Sequence, residues 1–158
     1  VPLKYNSKYE LHNDYNNARY IIGTAENTEF GRSKTITNLH FSEAAFYKHF
    51  DKLLAGAGTA LVPDGRFVIE TTANGFNNFK TFYNESELGE TDFTAHFYPS
   101  TLMYDEEFLE REKKRLGRLY DQEHPSSALE AFIQSGEGYF DRDALTWYLE
   151  NIKEPMTV

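Results

Sequence analysis

Three β-prone runs separated by helical stretches narrow the folds open to this chain. The run Thr35-Ile36-Thr37-Asn38-Leu39-His40-Phe41 is rich in β-branched and aromatic residues and stops at Ser42-Glu43. Phe46, Phe50, Leu53 and Leu54 then recur at i, i+4, i+7 and i+8, one apolar stripe of a helix that Gly56 and Gly58 can end. Pro63-Asp64-Gly65 is a turn, and Arg66 through Thr72 is a second strand whose continuous apolar centre suits burial on both faces. A helix over 78–85 comes next. Phe93, Ala95 and Phe97, alternating with Thr94, His96 and Tyr98, then read as a third core strand, so that His40 and His96 are both strand residues. Strand, helix, strand, helix, strand predicts a mostly parallel α/β sheet flanked by helices.

The flanks are simpler. Lys8–Leu11 and Ala18–Ala25 read as β segments joined around Asn13-Asp14-Tyr15-Asn16-Asn17, a hairpin or β-connection. The last third is helical. Residues 105–116 carry Glu107/Arg111 and Glu110/Lys114 at i, i+4 and close on Gly117. Ser127 and Glu130 have capping-box spacing ahead of a short helix that Gly136 can end. Leu145, Tyr148, Leu149 and Ile152 form a final stripe, with Asp141 as its N-cap. With 158 residues the chain fits one domain and is too short for two independent cores. Its rings, 13 Phe, 11 Tyr and 1 Trp, are about as numerous as its Leu, Ile and Val together, so aromatic packing supplies much of the burial and some rings are expected to face a partner.

Charge and motif content exclude several function classes. A net charge of −9 argues against a dedicated basic surface for nucleic acid, although one local basic stripe fits within it. No apolar run is long enough for a membrane span, and no signal-peptide pattern opens the sequence. Without cysteine there is no disulfide framework and no thiolate metal site. The five histidines show no zinc-site spacing. None of the ten glycines precedes a lysine, so the phosphate cradle G-x-x-x-x-G-K-[S/T] is absent. Met103 and Met156 are the only methionines, which argues against Val1 as a start and makes a fragment or processed product the expectation.

Three places put polar residues just past the carboxyl end of a predicted strand, which is where open α/β sheets bind their ligands. At Ser42-Glu43, a carboxylate can orient a water while the hydroxyl joins the same shell; the bland alternative is an acid that merely begins a helix. Thr71-Thr72-Ala73-Asn74-Gly75 supplies small hydroxyls and an amide at a strand tip, or else an ordinary Asn-Gly turn. Arg32, in Phe30-Gly31-Arg32-Ser33-Lys34, can reach an anionic ligand or a neighbouring subunit, or be a solvated surface charge.

Taken together, residues 20–141 resemble the large subunit of the tailed-bacteriophage DNA-packaging terminase. Thr37 through Phe46 is similar to that family's Walker B strand with the catalytic glutamate after it, here Glu43. Glu70-Thr71-Thr72-Ala73-Asn74-Gly75 resembles its coupling motif, and Arg118 through Asp141 resembles the segment leading toward its nuclease domain. The resemblance implies a partial P-loop ATPase sheet over 1–99 and a helical lid and linker over 100–158. It implies ATP and Mg²⁺ as cofactors, with Glu43 activating water, Ser42 and through it Mg²⁺ near the nucleotide, Thr72 and Asn74 sensing nucleotide state, and Arg32 acting in trans on a neighbour's nucleotide.

The sequence departs from the family at two points. Ser42 stands where the Walker B aspartate is expected, so magnesium would be held indirectly; and neither Walker A nor the aspartate-rich nuclease site is present. The expectation is therefore a piece of a motor that translocates double-stranded DNA with a portal protein and a small terminase subunit in the host cytoplasm, inactive alone and prone to self-association. Two alternatives stand beside it: a non-enzymatic phage or prophage module docking on portal or small terminase, and half of another ATPase such as a helicase.

Overall fold

A computed structural model of the chain describes residues 3–135, 144, 147–148 and 151–152, and these form an α/β protein in two compact units, 1–70 and 71–158. The first unit opens with a three-stranded antiparallel sheet, β1 (Leu3–Asn6), β2 (Glu10–Asn13) and β3 (Arg19–Ile21), in the order β1-β2-β3. The expected hairpin is β2–β3. It turns at Asn17, whose φ of 57° suits an asparagine and whose Oδ1 meets His12 Nε2 at 2.7 Å. β1 is not visible in the residue pattern because a bulge between Leu3 and Tyr5 breaks its alternation.

The second sheet of this unit has two parallel strands, β4 (Ile36–Ser42) and β5 (Leu61–Glu70), joined through α1 (Phe50–Gly58). Opposed residues share a face, so the register Leu39↔Phe67 and Phe41↔Ile69 turns these four inward, while His40↔Val68 and Ser42↔Glu70 turn outward. Leu39, Phe41, Phe50, Leu53 and Ala57 form the core, with Phe41 edge-on to Phe67 at 4.8 Å. The apolar centre of β5 is therefore buried on one face only, and Val68 is exposed. Pro63-Asp64-Gly65 does not precede the strand but interrupts it. Two steps along β4, from Ile36 to Asn38, face five along β5, from Leu61 to Arg66, and Gly65 lies where an added Cβ would stand 2.7 Å from Leu61. The helical stripe also starts later than expected: a short 3-10 turn over Ala44–Phe46 comes first, and Phe46 is exposed.

In the second unit, α2 (Asn78–Glu87) begins at Asn77, whose side chain accepts a hydrogen bond from the Lys80 amide at 3.1 Å. α3 (Glu106–Leu116) is capped by Asp105, accepting from the Phe108 amide at 2.8 Å, and ends on Gly117 at φ 54°. Its acidic first turn and basic last turn complement the helix dipole, and its ion pair is Glu112–Arg115 rather than the i, i+4 pairs expected. After the single turn α4 (Tyr120–Glu123), α5 (Ala128–Ser135) starts with half of the expected capping box: the Glu130 amide donates to Ser127 Oγ at 3.2 Å, but the Glu130 carboxylate reaches one residue further back and accepts from the Ser126 amide at 2.7 Å. Phe93–Phe97 is a correction. It alternates in exposure like a strand but pairs with no strand among the described residues, so the parallel sheet has two strands and His96 is not in one. No helix among the described residues is long and apolar enough to cross a membrane. Gly136, Asp141, Leu145 and Leu149 lie outside the described residues.

Candidate functional site

The parallel strands end at a turn with an unusual backbone. Ser42 closes β4, and Glu43 sits at φ 57°, ψ 43°, a left-handed conformation that costs a glutamate about 1–2 kcal/mol. The next two residues force this turn. Ala44 and Ala45 are buried at 0% and 4% exposure, so the chain drops straight from the strand into the core and the preceding residue must reverse it. The Glu43 carbonyl accepts from the Phe46 amide at 3.0 Å, but its side chain does not cap the turn. Glu43 thus stands at the N-cap of the short 3-10 turn without capping it through its side chain, and it is exposed at the strand tip.

Around it are groups that the residue pattern did not single out as a site. Glu70 ends β5 directly opposite Ser42, and its Oε1 lies 3.5 Å from His40 Nε2 on the outward face. Tyr47 packs 5.5 Å from the Phe41 ring; burial pushes its phenol above the usual range, the Glu70 carboxylate adds to this, and a hydrogen bond with the Ser42 backbone opposes it. The signal for this grouping is register, which only pairing of β4 with β5 reveals. Chemically, the tip offers a carboxylate able to orient or deprotonate water and a hydroxyl beside it. Among the described residues no group of three or more His, Cys, Asp or Glu is placed to hold a metal ion.

Arg32 is not brought to this tip. It precedes β4, pairs with Glu29 at 3.2 Å, and lies on the last turn of α1, with its Nε 3.2 Å from where a Cβ on Gly56 would stand. That is the opposite end of the sheet, about 20 Å away along seven residues of β4. Thr72 and Asn74 belong to the second unit. There the Thr71 hydroxyl donates to the Thr72 carbonyl at 2.7 Å, the Asn77 side chain donates to the Asn74 carbonyl at 3.0 Å, and the buried Gly75, at φ 63°, donates its amide to Ser135 Oγ at 2.9 Å. The loop is thus tied to α2 at one end and to α5 at the other. This is more than an Asn-Gly turn requires.

The second unit also holds a buried cation. Lys80 of α2 is 8% exposed, and its ammonium donates to Asn84 Oδ1 and lies 4.8 Å from the Phe132 ring of α5 and 5.9 Å from Tyr83. Burial lowers its pKa and Glu87 opposes the shift; for Tyr83, burial and then the Glu87 carboxylate, which also accepts its hydroxyl hydrogen, push the phenol up to about 12. The linkage signs differ. A raised Tyr83 contributes stability that is complete below about pH 10 and lost as pH rises through about 12, whereas the cost of burying charged Lys80 fades as pH approaches 10.5. Melts from pH 8 to 12 are expected to show the second unit losing at most about 2 kcal/mol above pH 10, and Tyr83→Phe removing that loss.

No family model, curated protein or solved structure matches this chain.

Proposed function

We propose that this chain is the hydrolytic part of the ATPase domain of a tailed-bacteriophage terminase large subunit. The observation that carries the reading is the strained Glu43 at the carboxyl end of a parallel strand, beside a second parallel strand that runs directly into Thr71-Thr72-Ala73-Asn74-Gly75. In this role Glu43 holds the attacking water and takes its proton as the water oxygen bonds to the γ-phosphorus and the bond to the ADP oxygen breaks. The Ser42 hydroxyl, exposed next to it, orients the shell around the phosphates. Magnesium, when bound, would neutralise phosphate charge, and the Ser42 hydroxyl would hold it indirectly through water. Thr72 and Asn74 sense nucleotide state from a loop anchored to α2 and α5. Arg32, remote from its own Glu43, serves a neighbour's nucleotide.

The wider reading builds on this: a motor in the host cytoplasm that moves double-stranded DNA, with a portal protein and a small terminase subunit as partners. Because the sequence holds no G-x-x-x-x-G-K-[S/T], calorimetry on the isolated chain is expected to find MgATP affinity weaker than about millimolar. Micromolar binding would mean that nucleotide is held in a different way and would overturn the assignment of the tip.

A further inference from the structure

We propose that one face of the β1–β3 sheet is a self-association surface on which a second copy of this chain docks. In an antiparallel ladder opposed residues share a face. The register Asn6↔Leu11↔Tyr20, with Leu3 opposite Asn13 and the Ile22 amide donating to the Tyr9 carbonyl at 2.8 Å, puts Leu3, Tyr9, Leu11, Tyr20 and Ile22 on one side. They are 46%, 55%, 36%, 65% and 49% exposed. The opposite side takes His12, the one buried residue of the three strands. A small sheet is held by its apolar face, and here that face is the one in water.

Charge selects the occupant. By register, the paired polar members of the apolar face are Asn6 and Asn13, both neutral; Lys4 stands in the bulge of the edge strand β1, and Glu10 and Arg19 fall on the other side. Lys8 also approaches it, with its ammonium 5.3 Å from the Tyr9 ring. A nucleic acid needs a row of cations among the rings, which this face does not carry. A copy of itself meets little local opposition: the paired positions of the face are uncharged, and residues 1–70 hold eight Lys and Arg against eight Asp and Glu, so the net charge of −9 lies in residues 71–158. The five side chains leave about 500 Å² per copy to bury, so the pair reaches only about the 1,000 Å² lower bound of specific interfaces, and a dissociation constant on the order of tens of micromolar is expected.

This inference is independent of the ATPase role. Sedimentation velocity over roughly 1–500 μM is expected to show the mass climbing from 18.3 kDa toward its double, with the Leu11→Glu/Tyr20→Glu chain staying at the lower value and keeping its circular dichroism. Since the chain has no cysteine, Leu11→Cys reports proximity cleanly: a short bis-maleimide should join two Leu11→Cys chains and leave Asp64→Cys chains single. A wild-type monomer throughout the range, or association that survives the double substitution, overturns the proposal. So does a monomer that binds labelled single-stranded DNA and loses that binding in the double variant, which would assign the face to nucleic acid.

Discussion

Phe132→Ala is expected to destabilise the second unit by about 3–5 kcal/mol, the range for removing a buried ring. Phe132 is 4% exposed and makes three ring contacts at once: Phe79 at 6.3 Å, Tyr83 at 5.6 Å and the Lys80 ammonium at 4.8 Å. The loss therefore combines a cavity with a buried cation stripped of its aromatic cover. Domains are stable by only about 5–15 kcal/mol, so the truncated chain should unfold this unit at a visibly lower temperature. Lys80→Met provides the contrast. It keeps the volume and removes the charge, and replacing a buried charge by a well-packed apolar group is neutral or stabilising. Hydrogen exchange of α2 and α5 read alongside circular dichroism melts checks both, and a Phe132→Ala cost below about 1 kcal/mol would show that α5 does not hold this core.

The second large effect concerns Glu43, where stability and activity are expected to move in opposite directions. Glu43→Gly relieves a left-handed glutamate at φ 57° and should raise stability by up to about 1 kcal/mol, offset by the entropy glycine loses on folding. In a terminase large subunit carrying this segment, the proposed role predicts that the same substitution abolishes ATP turnover. An acid that merely started a helix would give the first result without the second. The trade-off is the physical signature of strain kept for a task at the tip of β4.

The range of the forces involved decides how much the residues alone reveal. The caps at Asp105 and Ser127, the Gly117 terminus, the β2–β3 hairpin and the β4-α1-β5 succession depend on neighbours a few positions away, and local chemistry shows them. Phe93–Phe97 has strand alternation but no strand beside it among the described residues, and no local feature reports a missing neighbour. Phe46 fits the helical period, yet the buried Ala44 and Ala45 shorten the first turn and leave the ring in water. A lysine at position 80 reads as solvated until Phe132 of α5, distant in sequence, covers it. At the candidate site, Ser42 and Glu43 are evident as polar residues ending an apolar run. The left-handed backbone of Glu43, the Glu70–His40 pair and the tie between Gly75 and Ser135 depend on tertiary placement.

The most direct test of the central claim is steady-state and single-turnover ATP hydrolysis by a terminase large subunit carrying residues 20–141 in place of its matching segment, with Glu43 against Glu43→Gln and nucleotide affinity measured in parallel. Loss of the water-activating carboxylate should lower kcat by about 10²–10⁴-fold and leave ATP binding unchanged. Turnover within a few-fold of the Glu43 form, with binding intact, would contradict the assignment of Glu43 and with it the reading of the strand tip as a hydrolytic site.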